Sequence, residues 1–194
     1  MVATVEVKQA VGGTDGSPTE QPASGDISAL RFHTADQYNP TDTTKPIPIP
    51  TSGYKHSFWV HIYLKLSGTF TKINNVRHSC PAIDWALGTG GELRRGNRDT
   101  GDKGCPMDTE YDVATGTVGD NGDSIEDITN GHGYYNGQTT KTVNHSGESD
   151  VVIDSTDHTG AGKCKSIVMQ VRVGVGATQG EAADKTMTYK YDEI

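Results

Sequence analysis

The side chains best suited to chemistry in this chain are seven histidines and three cysteines. Imidazole and thiolate are ligands for Zn²⁺, and imidazole is the commonest general base. Their spacing carries no signature. His33, His56, His61, His78, His132, His145 and His158 form no H-x-x-x-H or H-E-x-x-H pair, and Cys80, Cys105 and Cys164 form no C-x-x-C pair. His78, Cys80 and Cys105 offer three zinc donors, but no fourth is evident. The expectation is therefore no metal, no cofactor and no catalytic residue, with the histidines in strands or at the surface. An odd number of widely spaced cysteines suits free thiols; one bridge, Cys80 to Cys105, is the alternative.

Other clusters are equally open to a plain reading. Asp120, Asp123, Glu126 and Asp127 supply the hard oxygens Ca²⁺ takes, but not at the spacing of a D-x-D-x-D-G loop, so a solvated acidic loop is expected. Arg94, Arg95 and Arg98 could grip a phosphate or a partner's carboxylates. Glu92, Asp99 and Asp102 nearly cancel them, and local ion pairs are the alternative. Trp59, Tyr63, Tyr134 and Tyr135 could form an aromatic platform for a sugar or a protein, core packing being the commoner use. No G-x-S-x-G elbow, phosphate-binding loop or dinucleotide fingerprint occurs. Asn144-His145-Ser146 is a formal glycosylation sequon, but no basic-then-apolar signal is seen at the N-terminus.

Composition narrows the classes. The net charge of −8, from 25 acidic and 17 basic residues, argues against nucleic acid as a partner. No apolar run is long enough for a membrane helix, so no membrane is expected either. Twenty-four glycines, many valines and threonines, and few leucines favour strands joined by tight turns over helices. Leu, Ile, Val and Phe are sparse for a chain of 194 residues, which predicts a thin core helped by neighbouring subunits.

The elements that must position these groups show as period-two alternation. In Ser57–Leu66, Phe58, Val60, Ile62, Leu64 and Leu66 face one way; Trp59, His61, Tyr63 and Lys65 face the other. That second face is aromatic as well as polar, so something should cover part of it. Ile167, Met169, Val171, Val173 and Val175 alternate in the same manner, then Met187, Tyr189 and Tyr191; a hairpin is expected between them. Further strands are expected around Val5 and Val7, over Ile27–His33, over Phe70–Ser79 with a bulge at Asn74-Asn75, and from Val151. Lys45-Pro-Ile-Pro-Ile-Pro should be extended, with Ile47 and Ile49 tucked beneath a sheet edge. Residues 80–148 are rich in Gly and Asn-Gly turn signals, with short strands expected at Thr109–Ala114 and Thr139–Asn144 and one helical turn at Ser124–Thr129. The sum is an all-β fold: an antiparallel β-sandwich, Ig-like or jelly roll, with long Gly-rich loop insertions. An extended N-terminal arm over residues 1–25 leads into one domain, 26–194, with the irregular insertion at 80–148.

Gln170-Val-Arg-Val-Gly, Gly180 and the closing Thr186-Met-Thr-Tyr-Lys-Tyr-Asp-Glu-Ile194 resemble the ends of β-rich structural proteins of tailed-bacteriophage virions. Leu30-Arg-Phe-His-Thr-Ala-Asp, Pro46-Ile-Pro-Ile-Pro and the Trp59 strand share that resemblance; Cys80 to Glu148 does not. It implies a non-enzymatic particle component present in many copies, made in the host cytosol and finished in the virion. Capsid decoration or cement is the first expectation, a neck or tail protein the second. The partners implied are the major capsid protein or other virion subunits, with a homo-oligomer expected. Val5, Val7, Ile47, Ile49, Arg94, Arg95 and Arg98 are the expected contact residues. A carbohydrate- or host-surface-binding sandwich, and a hydrolase with carboxylates from distant strands, are the competing classes.

Overall fold

The computed structural model describes residues 3–144, 147–180 and 184–194. Every regular element among them is a strand and every pairing is antiparallel. In chain order the strands are β1 (Ala3–Thr14), β2 (Ser17–Gln21), β3 (Tyr54–His56), β4 (Val60–Gly68) and β5 (Ile73–Cys80). Five short strands follow: β6 (Gly88–Thr89), β7 (Glu92–Arg95), β8 (Gly116–Thr117), β9 (Asn121–Gly122) and β10 (Lys141–Thr142). The last are β11 (Glu148–Asp154), β12 (Gly162–Lys163), β13 (Ile167–Gly174), β14 (Gly176–Ala177) and β15 (Thr188–Glu193). A large sheet has the order β10-β7-β13-β4-β1-β2, with β12 added to β4 and β3 to β13. A small sheet has the order β11-β5-β15, and β14-β6 and β8-β9 form two ribbons.

Alternation places the core. Val60, Ile62, Leu64 and Leu66 of β4 and Ile167, Met169, Val171 and Val173 of β13 point the same way. They meet Ile73, Val76 and Cys80 of β5 and Ile153 of β11, so one apolar cluster joins the large sheet to the small one. Burying each such side chain contributes roughly 1.5–3 kcal/mol. Two polar ties cross the same gap. The Tyr189 hydroxyl donates to Ile62 O at 2.8 Å, and Arg95 of β7 pairs with Glu148 of β11 at 2.6 Å.

The opposite face of β4 is buried too. Trp59, His61 and Tyr63 are covered by residues of the 105–135 segment: Cys105, Met107, Tyr111, Ala114, Ile125 and Tyr135. The backbones of Cys105 and Ser166 exchange two hydrogen bonds of 2.8 Å and fix one end of that cover. Buried Gln170 fixes the other. Its Nε2 donates to Ser57 O and Asp123 O, and its Oε1 accepts from Ile125 N. Close approach requires glycine here: a Cβ on Gly122 would lie 2.2 Å from Ser57 O.

Several expectations are corrected. The N-terminal segment is not a free arm. Ala3–Thr14 lies within the large sheet between β4 and β2, and the buried Lys8 ammonium holds Pro22 O and Gly25 O. The expected hairpin between β13 and the C-terminal strand does not form. Both edges of β13 are taken by β4, β7 and β3, while β15 pairs with β5 in the other sheet. Ile27–His33 forms no ladder, Thr109–Ala114 is no strand, and Ser124–Thr129 is a set of turns rather than a helix. The bulge expected near Asn74-Asn75 is present. Asn75 has φ 52°, and the β5–β15 register slips between Arg77 and Asn74.

Candidate functional site

The densest grouping of reactive side chains lies beneath the cover over β4. His61 stands on the second face of that strand because of the alternation that buries Ile62. Cys105 opens the covering segment, and His132 sits in the turn Gly131-His-Gly-Tyr-Tyr. All three are at most 1 % exposed. His61 Nε2 and His132 Nε2 are 3.1 Å apart, and Cys105 Sγ is 4.0 Å from His132 Nε2. His61 Nδ1 lies 3.0 Å from Ser166 Oγ, and His61 Nε2 lies 3.2 Å from Asp112 O. Tyr134 N donates to His132 Nδ1 at 3.1 Å, and the Cys105 thiol donates to Glu110 O at 3.1 Å. Tyr111, Trp59 and Tyr135 ring the pair, their centroids 4.6, 5.6 and 5.1 Å from the nearer imidazole.

Burial sets the electrostatics. It drives His61 down to about 3 and His132 well below the usual histidine range, the second helped by the first. It pushes the Cys105 thiol far up. As bare side chains the three are therefore neutral at pH 7. Nothing in the sequence signals this convergence, because the residues come from a strand, a loop start and a turn. The one usable clue is a histidine on the covered face of a strong strand.

The zinc set considered from sequence, His78 with Cys80 and Cys105, does not assemble; Cys105 groups with His61 and His132 instead. His78 faces Tyr189 edge-on, both its ring nitrogens unpartnered, and burial takes it down to about 4. Cys80, Cys105 and Cys164 are all free and buried, so the alternative Cys80–Cys105 bridge is absent. A second potential donor group, Asp154, His158 and Cys164, is occupied internally. Asp154 accepts from His158 Nε2, Lys165 N and Thr156 N. Burial works to raise its pKa, but these bonds outweigh it and hold the carboxyl at about 2.

The expected contact residues scatter. Val5 and Val7 pair with Leu66 and Leu64 and pack on the core, as does Ile47. Ile49 is 42 % exposed. Arg94 is buried and ion-paired to Glu126 at 2.7 Å; Arg95 is buried against Glu148. Arg98 donates to Tyr134 O at 3.0 Å and lies 4.5 Å over that ring. The arginines thus bond within this chain.

The acidic run disperses in the same way. Asp120 pairs with Lys55, Glu126 takes Arg94 and Thr140, and Asp127 accepts from the amides of Thr129 and Asn130. The aromatic platform is not at the surface either: Trp59, Tyr63 and Tyr135 are buried. Asn144 of the sequon is buried on Leu93 N, while His145 and Ser146 lie outside the described residues. Comparison with protein-family models, with curated proteins and with solved structures gives no match for this chain.

Proposed function

We propose that this chain is a non-enzymatic structural subunit of a virion, a capsid decoration or cement protein that holds its neighbours by repeated protein contacts. The observation that carries the reading is the set of open strand edges. β2 ends the large sheet and β15 ends the small one, each with one side unladdered among the described residues; β11, on the other flank of the small sheet, takes backbone bonds from Lys103 N and Gly104 N at 3.1 Å. Such edges accept a strand from another chain. The C-terminal edge also carries exposed apolar side chains, with Tyr191 36 % and Ile194 67 % exposed. Shallow contacts of this kind are weak singly and become durable when symmetry repeats them. On this reading the large and small sheets are the two layers of a β-sandwich, Ig-like or jelly roll, clamped by the cluster that joins them. The partners are the major capsid protein, other virion subunits or further copies of the chain.

The experiment compares particles assembled with and without this chain. A decoration subunit should be present in many copies and raise the temperature at which the shell ruptures. Particles that lack the chain, or that rupture at the same temperature without it, contradict the proposal.

A further inference from the structure

We infer that His61, Cys105 and His132 form a buried structural site for a divalent transition metal, with Zn²⁺ the ion that fits the donors. Two imidazoles and a thiol are a borderline-to-soft donor set, and the three donor atoms all lie within 4.8 Å of one another. A tetrahedral zinc with bonds of about 2.0–2.3 Å needs donors about 3.3–3.6 Å apart. The spacings of 3.1 and 4.0 Å bracket that requirement. Asp112 O, 3.2 Å from His61 Nε2, is placed to supply a fourth, oxygen donor.

The proton count of the pair says what the ion displaces. Tyr134 N donates to His132 Nδ1, so the neutral His132 ring carries its proton on Nε2. If that proton goes to His61 Nε2, the His61 nitrogen holds a lone pair and faces the oxygen of Asp112 at 3.2 Å. If His61 instead protonates Nε2 to satisfy Asp112 O, two N–H groups face each other at 3.1 Å. The first arrangement satisfies both rings, since Asp112 O also accepts from Trp59 Nε1 at 3.0 Å, and the site is closed to solvent. A cation between the two Nε2 atoms takes the place of that imidazole–imidazole bond, with both lone pairs and Asp112 O turned toward it.

The surroundings suit that assignment on the His61 side. With Nε2 on the metal, Nδ1–H donates to Ser166 Oγ, whose hydroxyl donates to Cys105 O. This is the outer hydrogen bonding that orients a ligating histidine. On the other two ligands, bonds are exchanged. Cys105 gives up its thiol proton and its bond to Glu110 O, and His132 gives up the bond from Tyr134 N as its proton moves to Nδ1. The thiol proton leaves to solvent when the ion enters during folding, before the 105–135 segment closes over β4.

The test uses the untagged full chain. Elemental analysis after expression in zinc-supplemented medium should find one zinc per chain. Refolding with Co²⁺ should give the visible tetrahedral and thiolate charge-transfer bands of a cobalt–sulfur site. Cys105→Ser should abolish the charge-transfer band, while Cys80→Ser and Cys164→Ser retain it. A soluble, folded wild-type chain holding under a tenth of an equivalent of zinc would overturn the inference. So would a Co²⁺ spectrum unchanged by Cys105→Ser. Because the zinc count is made on the wild-type chain, a variant that fails to fold does not remove the test.

Discussion

At the residue scale, the chain keeps several ionisable groups dry, and each has its own pH window. His78 shows the sign most clearly. Unfolded, its imidazole takes a proton near 6.5; folded, it stays neutral down to about 4 because it is buried beside Arg95. Between those values the unfolded state binds the extra proton. Stability therefore falls as pH drops from about 6.5 to about 4, at up to about 1.4 kcal/mol per pH unit. Both ring nitrogens lack partners, so a leucine loses no hydrogen bond there. We expect His78→Leu to be neutral or stabilising at pH 7 and to flatten the loss between pH 6.5 and 4; denaturant titrations across that range check it. Asp154 acts lower and in the acid sense. Its stabilisation is complete above the usual carboxyl value of 3.8 and is lost as pH falls toward about 2. Acid unfolding should then show two limbs, and Asp154→Asn should make the lower one shallower, the remainder coming from other paired carboxylates such as Asp102 and Glu126.

At the element scale, two devices hold the layers and the cover in place. The Arg95–Glu148 pair, made of two bonds of 2.6 and 2.8 Å, ties β7 to β11 and is almost fully buried. Removing one partner strands a charge, so Glu148→Leu should cost about 3–5 kcal/mol. Arg95→Leu combined with Glu148→Leu should recover most of that loss. A double-mutant cycle by chemical denaturation reads both values. Gly122 packs on Ser57 O, and Gly122→Ala should cost about 1–3 kcal/mol by pushing the cover off the entry to β4. Thermal unfolding and the near-ultraviolet signal of Trp59 report it. These elements also mark how far the sequence could be read. The faces of β4 and β13 were legible because period-two burial is a local property of the chain. The partner of β15 was not, since alternation says which side is apolar and nothing about which edge is free. Arg94 and Arg95 looked like a partner-facing loop because their carboxylates, Glu126 and Glu148, lie far along the chain. His61, Cys105 and His132 were illegible together for the same reason. Their meeting depends on a segment whose many turn signals give no direction.

At the scale of the whole molecule, the proposed role rests on the open edges of β2 and β15. Ile194 offers a clean probe. Its backbone pairs with Lys72, yet its side chain is 67 % exposed. Ile194→Asp should leave stability within about 0.5 kcal/mol of wild type. It should lower the fraction of chain that sediments with particles, if the β15 edge carries a contact. Equal sedimentation would move the contact to β2. The most direct measurement is a cryo-EM reconstruction of particles from cells that make this chain. Density for it is expected at symmetry-repeated positions, with a strand of a neighbour running along β2 or β15. A shell complete without any copy of the chain would contradict the proposed role.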